Sequence, residues 1–216
     1  MTVLRTIFIT GGTGYIGRRL IPLLLDRGYA VRALARMGSE NKLPPGCQVI
    51  VGNALDEASF SNQIPPSHTY IQLIGVAHPS PSKVEQFKAI DLVSVRASVL
   101  AAKTAGIDHF IYVSVAHPAP LMKEYIAVRS EGEALIKSNG FNATILRPWY
   151  VLGPGHRWPV LLRPVYWVLE RLPSTRDSAR RLGLVTLTQM LAALVAAVER
   201  VPNGIRLVEV PEIKRS

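Results

Sequence analysis

Cysteine and acidic residues are both scarce in this chain of 216 residues. Its single cysteine, Cys47, excludes a disulfide framework and any metal site built from cysteines alone. The longest apolar runs, such as 191–198, are far too short to cross a bilayer, and the amino-terminal stretch lacks the pattern of a signal peptide. Together these absences predict a cytoplasmic protein.

The shortage of acidic residues leaves the chain strongly basic. It has 25 Lys and Arg against 15 Asp and Glu, a formal net charge of +10, and 18 of the cations are arginine. The planar arginine fork suits phosphate and carboxylate groups. A basic chain of this kind can meet nucleic acid, an anionic membrane or a phosphorylated cofactor. Composition alone does not choose among these partners.

Short β-branched and aromatic runs alternate with segments of helical spacing. The predicted strands are 6–10, 29–36, 47–51, 70–75, 109–115, 143–151 and 206–210, and the predicted helices are 15–27, 83–105, 122–138 and 188–200. Alternating strands and helices predict an α/β fold of Rossmann type, a doubly wound parallel sheet with helices on both faces. The Pro- and Arg-rich part after residue 155 predicts a short C-terminal cap on the same domain.

A glycine-rich turn follows the first predicted strand and opens the first predicted helix. Gly11 permits the tight turn, Gly14 lets the backbone approach a pyrophosphate, and Gly17 lets helix and strand pack closely. In this context the turn predicts dinucleotide binding rather than a turn without a ligand. The predicted contacts in the turn are Gly11, Thr13, Gly14, Tyr15, Ile16 and Gly17.

The motif TGGTGYIG, with the later blocks VRALAR, VGNALD, YIQLIG, HFIYVSV and LRPWYVLGPG, resembles the short-chain dehydrogenase/reductase superfamily. Its extended and atypical NAD(P)-binding branches, which include NmrA-like regulators and the accessory NAD(P)-binding subunit of respiratory complex I, are the most similar. The resemblance covers residues 3–155 well and the remainder loosely. It implies an NAD(P)-binding Rossmann domain at 1–155, with 156–216 as a cap or substrate region integrated into it.

An acidic residue is missing where the second predicted strand ends. Arg32 and Arg36 stand there instead. A carboxylate at this point would bind the ribose hydroxyls of NAD, whereas a guanidinium grips the 2′-phosphate of NADP. The sequence therefore predicts NADP, although both arginines could also form a solvated basic face. The resemblance adds four further cofactor contacts: Asn53, Ala54, Gly75 and Pro148.

The lysine of the superfamily's Tyr-x-x-x-Lys motif is also missing. Tyr125 is present, but Arg129 stands four residues later. The resemblance implies that Tyr125 exchanges a proton with the substrate, that Arg129 stabilises its phenolate, and that Ser114 holds the substrate oxygen. The superfamily's hydroxyl aligns with Val115, however, and a one-residue shift turns a strand side chain to the other face.

Two functions stay open on this basis. The first is an NADP-dependent oxidoreductase of the atypical short-chain type, acting on a carbonyl, hydroxyl or sugar-like substrate. The second is a non-catalytic NADP(H)-binding redox sensor or assembly protein, which the altered motif favours. Asp91 stands near the position where many relatives keep an asparagine that completes the proton path.

Other ligands and partners have weaker signals. His78, His117 and His156 follow predicted strand ends without metal-ligand spacing, so no metal site is predicted. The basic, aromatic segment 156–181 suits either a lid over the nicotinamide or a peripheral contact with an anionic membrane. No nucleic-acid recognition motif is present, and both a monomer and a homodimer remain open.

Overall fold

A parallel sheet forms the centre of the computed structural model, which describes residues 5–119, 121–154 and 181–216. The strands in chain order are β1 (Thr6–Thr10), β2 (Ala30–Ala35), β3 (Gln48–Val51), β4 (Thr69–Gln72), β5 (His109–Val113), β6 (Asn142–Arg147), β7 (Tyr150–Leu152), β8 (Leu184–Thr186) and β9 (Ile205–Glu209). The central sheet has seven strands in the order β3-β2-β1-β4-β5-β6-β9, and β7 pairs separately with β8. Its first six strands follow the order of a dinucleotide-binding sheet. The predicted Rossmann-type fold is confirmed.

Helices cover both faces of the sheet. They are α1 (Gly17–Leu25), α2 (Val84–Gln86), α3 (Val93–Thr104), α4 (Lys123–Ser138), α5 (Leu187–Glu199) and α6 (Val210–Ile213). A π-helical turn, Phe87–Leu92, joins α2 to α3. One apolar core packs α1, α5 and α6 against the sheet, and a second packs α3 and α4 against the opposite face. The alternation of β1 explains the division, because Ile7 and Ile9 enter the first core while Phe8 enters the second.

Several element boundaries differ from the sequence prediction. The predicted strand 143–151 is two strands, β6 and β7, because Pro148 has no N–H to donate to a ladder. The Pro148 carbonyl instead accepts a hydrogen bond from the Ala116 N–H at 3.0 Å. The predicted strand 70–75 already ends at Gln72, and the predicted helix 83–105 contains the π-helical turn.

The carboxyl-terminal part contributes directly to the central sheet. β9 pairs with β6 in parallel, and α5 shares its core with α1. The predicted division of the chain at residue 155 stays a prediction. Most of the basic segment 156–181 lies outside the described residues. Within the described ranges, no helix combines the length and apolar character needed to span a membrane.

Candidate functional site

A cleft of about 480 Å³ opens at the carboxyl ends of β1 to β4. This is the edge of a doubly wound sheet where dinucleotides bind, and the volume is typical of a small-molecule site. One wall is the turn between β1 and α1, a second follows β2 and β3, and a third follows β4. The start of the helix after β4 closes the fourth side.

The glycine turn has the compact backbone that a pyrophosphate site needs. Gly11 has a φ of +78° and, with Thr13 and Gly14, lines the cleft. The Gly14 N–H donates to the Gly11 carbonyl at 3.0 Å. A Cβ on Gly17 would overlap the Gly11 carbonyl oxygen and lie 2.6 Å from the Cα of Gly12, so a side chain there would force the turn open.

Two predicted contacts of the turn lie outside the cleft lining. Tyr15 and Ile16 are half-buried and pack against the core of α1 and α5. The Arg19 guanidinium lies 4.4 Å from the centre of the Tyr15 ring. The structure therefore brings Gly11, Thr13 and Gly14 together at the cleft, while Gly17 shapes the turn from behind.

The wall after β2 and β3 carries one of the two predicted arginines. Arg36 is exposed and lines the cleft together with Asn53 and Ala54. Arg32 is not among the lining residues, and its Nη2 donates to the Gln63 carbonyl at 2.9 Å. The loop at Asn53 is well braced, because its Oδ1 accepts the Leu55 N–H at 3.1 Å.

The wall after β4 is joined to β1 only at its first residue, where the Leu73 N–H donates to the Thr10 carbonyl at 3.1 Å, and side chains hold the amides of Ile74 and Val76. Leu73 to Ala77 line the cleft, Gly75 among them, and its role as a cofactor contact stays a prediction. The Ile74 N–H donates to Gln72 Oε1 at 3.0 Å, and the Val76 N–H donates to Asp91 Oδ2 at 3.0 Å. A glutamine inside an otherwise apolar strand pattern is the sequence signal that would have identified Gln72 as a residue with a buried hydrogen-bonding role.

Arg129 is committed to a buried ion pair. Its Nη2 donates to Asp91 Oδ1 at 2.6 Å and its Nη1 donates to the Val113 carbonyl at 2.9 Å. Arg129 is 5% exposed and Asp91 1%. Burial raises the pKa of Asp91 against the opposing effect of Arg129. Burial also disfavours the charge on Arg129, but Tyr125, Tyr112 and Asp91 together hold its pKa above the ordinary value.

Tyr125 lies in the first turn of α4, beside the π-helical turn. Its ring centre is 4.9 Å from that of Phe87 and 5.3 Å from the Arg129 Cζ. Tyr125 is partly exposed and does not line the cleft, whereas Gln86 and Ile90, which flank Phe87, do. The predicted Tyr125–Arg129 pair is thus adjacent in space, with the Arg129 fork directed to Asp91 and Val113.

Ser114 belongs to a separate buried cluster centred on Glu133 of α4. The Ser114 hydroxyl donates to Glu133 Oε1 at 2.7 Å, and Arg147 grips the same carboxylate at 2.9 and 2.5 Å. Burial opposes the ionisation of Glu133, but these hydrogen bonds outweigh it and hold its pKa below the ordinary value. Ser114 and Pro148 are both buried and outside the cleft lining.

The three histidines predicted to follow strand ends do not form one cluster among the described residues. His117 Nε2 lies 3.5 Å from Glu133 Oε1, while His78 has a φ of +50° in the loop after β4. His156 falls outside the described ranges. In the part of the chain that the structure describes, no group of three or more His, Cys, Asp or Glu side chains is arranged to hold a metal.

Sequence reasoning missed several lining residues. Lys83 is the most consequential, because its Nζ donates to the carbonyls of Ala77 at 2.6 Å and His78 at 3.0 Å while it lines the cleft. The charged residues that line the cleft are Arg36 and Lys83, and within the described ranges no Asp or Glu lines it. The other missed lining residues are Leu34, Gly52, Leu55, Leu73, Ile74, Val76, Ala77, Gln86 and Ile90.

Comparison with known proteins places this geometry in context. Residues 11–157 match a family model described as NAD(P)H-binding. The ceramide reductase of Caulobacter vibrioides is 25% identical over 209 residues, which are 96% of this chain and 64% of that protein. The photosystem II assembly factor Ycf39 of Cyanophora paradoxa is 29% identical over 150 residues, 66% of this chain and 44% of that protein. The chain therefore spans less than two thirds of these relatives.

Solved structures share the fold. The Bordetella bronchiseptica enzyme WbmH, crystallised with NAD+, superposes with a TM-score of 0.70 at 21% identity, covering 94% of this chain and 74% of that one. A UDP-galactose 4-epimerase superposes with a TM-score of 0.71 at 17% identity, covering 94% and 77%. The resemblance to the short-chain dehydrogenase/reductase superfamily is confirmed. The glycine turn and the cleft lining both fall within the matched residues, and this chain belongs to the NAD(P)H-binding family of Rossmann-fold proteins.

Proposed function

We propose that this chain is an NADP(H)-dependent oxidoreductase that binds the cofactor in the cleft described above and reduces a carbonyl substrate. The observation that carries the cofactor assignment is Arg36, exposed at the end of β2 and lining the cleft. A guanidinium there would bind the 2′-phosphate through paired charge-assisted hydrogen bonds.

The residues present fit a dinucleotide. Three of the four residues in the Gly11–Gly14 turn are glycines, which lets the backbone approach a pyrophosphate, and a Cβ at Gly17 would fill the space that keeps the turn compact. Asn53 and Ala54 line the part of the cleft next to Arg36, where an adenosine would lie. Arg36 and Lys83 give the lining a positive charge that suits a phosphorylated ligand.

The test of the cofactor assignment is calorimetric titration of NADPH and NADH into the wild type and Arg36→Asp. Losing the guanidinium and gaining a repelling carboxylate should weaken NADPH binding about 100-fold, while NADH changes less than about threefold. The exposed Arg200→Asp variant, with the same change in charge at the end of α5, should bind both as the wild type does. Equal losses of NADPH and NADH in Arg36→Asp would contradict the assignment.

The chemistry proposed for the site uses Tyr125 as its proton donor. Bound NADPH would supply a hydride to the carbonyl carbon of the substrate. Tyr125 is a partly exposed phenol one helix turn from the Arg129 cation, and its ring contacts Phe87, next to the cleft-lining Gln86. Ceramide reductase and a Stigmatella aurantiaca ketoreductase are among the similar proteins, which supports a carbonyl substrate. Tyr125→Phe should abolish turnover in a carbonyl panel while leaving NADPH affinity intact.

A second candidate is a protein that binds NADP(H) without turnover, as a redox sensor or an assembly factor. It is favoured by a specific observation: Ser114 is bonded to Glu133, and Arg129 to Asp91 and Val113. The similarity to Ycf39 assembly factors supports the same candidate. NADPH binding at wild-type strength with no turnover across the panel, in both the wild type and Tyr125→Phe, would favour this candidate over the reductase.

A further inference from the structure

The wall after β4 is the part of the cleft that depends most on distant side chains. β4 ends at Gln72, so the amides of Ile74 and Val76 are not part of its hydrogen-bond ladder and donate to side chains instead. Gln72 satisfies the first amide from within the same strand. Asp91, on the π-helical turn, satisfies the second and is the only charged group in that pair of contacts.

Asp91 does not stand alone in that position. A lone carboxylate this deeply buried would be costly, and Arg129 supplies the counter-charge at 2.6 Å. The two nitrogens of the same guanidinium also reach in two directions, to Asp91 and to the Val113 carbonyl at the end of β5. Arg129 therefore ties the end of β5 to the π-helical turn through one planar group, and Asp91 extends this connection to Val76 in the loop after β4.

Gly75 brings the guanidinium directly behind the cleft. A Cβ on Gly75 would overlap the Arg129 Nη2 and lie 3.3 Å from Asp91 Oδ1. The same Gly75 lines the cleft on its other side. One glycine thickness therefore separates the nucleotide cleft from the Arg129–Asp91 pair.

We infer that Arg129 and Asp91 form a coupled pair that holds the Gly75–Val76 wall in its binding shape. In this arrangement Arg129 is a positioning residue of the cofactor site, acting through Gly75 and Val76 rather than on the reacting atoms. The inference rests on the proposed function of the cleft as a dinucleotide site. It assigns the pair a shared part in cofactor binding, which would be lost when either Arg129 or Asp91 is replaced alone.

The experiment measures two ligands on five proteins: the wild type, Arg129→Lys, Arg129→Met, Asp91→Asn and the double variant Asp91→Asn/Arg129→Met. NADPH would extend over both walls of the cleft, whereas adenosine 2′-monophosphate would need only the wall of Arg36 and Asn53, on the other side of β1 from β4. Each single variant should lose about tenfold in NADPH affinity and less than about twofold for the monophosphate. A role confined to global stability would weaken neither ligand selectively.

The double variant separates coupling from simple damage. It leaves no unpaired buried charge, and the amide oxygen that Asp91→Asn introduces would still accept the Val76 N–H. Its NADPH loss should therefore be smaller than the product of the single losses. Arg96→Gln, which breaks an exposed pair with Glu131 between α3 and α4, is the matched control and should bind both ligands normally.

Three results would overturn the inference alone. They are wild-type NADPH affinity in Arg129→Lys, equal losses for both ligands, and independent losses in the double variant. Full affinity in Arg129→Lys would mean that any cation suffices at this position. Failure of the wild type to bind NADPH at all would instead overturn the proposed function, and this inference with it.

Discussion

Neutralising Glu133 should be among the most damaging single-atom changes available in this fold. Its carboxylate is 2% exposed and receives hydrogen bonds from Ser114 and twice from Arg147, with His117 nearby. Removing one partner of a buried ion pair costs about 3–5 kcal/mol of stability, and a glutamine oxygen can still accept part of the hydrogen bonds that Glu133 receives. We therefore expect Glu133→Gln to lose about 2–4 kcal/mol, or roughly 5–15 °C in Tm for a chain of this length.

Thermal and urea unfolding of Glu133→Gln and of Glu131→Gln would measure this directly. Glu131 lies on the same helix but is 45% exposed and pairs with Arg96 on the surface, so its variant should lose less than about 1 kcal/mol. Because the folded pKa of Glu133 lies below its ordinary value, its contribution is complete at pH values above 4.5 and fades as the pH falls through the folded pKa. The difference between wild type and Glu133→Gln should shrink in that acid range. A Tm change under about 2 °C at pH 7 would refute the reasoning.

Two further variants test other parts of the fold. In Gly17→Ala the new methyl meets the Gly11 carbonyl and Gly12, so NADPH affinity by calorimetry should fall at least about 100-fold while circular dichroism keeps the α/β signature. Burial lowers the pKa of His109 from 6.5 to about 4. Between these two values the unfolded state binds the proton more strongly than the folded state, so the free energy of unfolding should fall by about 3 kcal/mol from pH 7 to pH 4. His109→Gln keeps an amide that can hydrogen-bond to the Thr144 hydroxyl but does not titrate, and the stability it shows in urea unfolding should lack this decline. An unchanged decline in that variant would assign the effect to another group.

The parts of the fold that the sequence predicts well are those with local causes. The Gly11–Gly17 turn lies between a β-branched run and a helical run, and each glycine has its own steric reason. Arg36 follows from its place at the end of one strand. The break at Pro148 has an equally local cause, which the predicted strand 143–151 overlooked: a proline inside a run of strand residues argues against one continuous strand.

The surroundings of Arg129 and Ser114 could not be predicted in the same way. Arg129 finds its carboxylate 38 positions away in Asp91, and Ser114 finds Glu133 on a helix that begins after a further loop. A Tyr-x-x-x-Arg spacing puts two side chains on one helix face, but it does not say which third group will claim the guanidinium. Arg32 shows the same limit, because strand alternation leaves open that its fork is used by the Gln63 carbonyl.

The π-helical turn at Phe87–Leu92 has a consequence for how related chains are aligned. It accommodates an extra residue within one helical turn, and Phe87 at its start and Asp91 near its end both pack toward α4. Deleting one residue there would restore a regular helix and rotate every later position by about 100°. Asp91 would then turn away from Arg129. A relative without the wide turn would therefore carry the counterpart of Asp91 one column out of place unless a gap is opened within this turn.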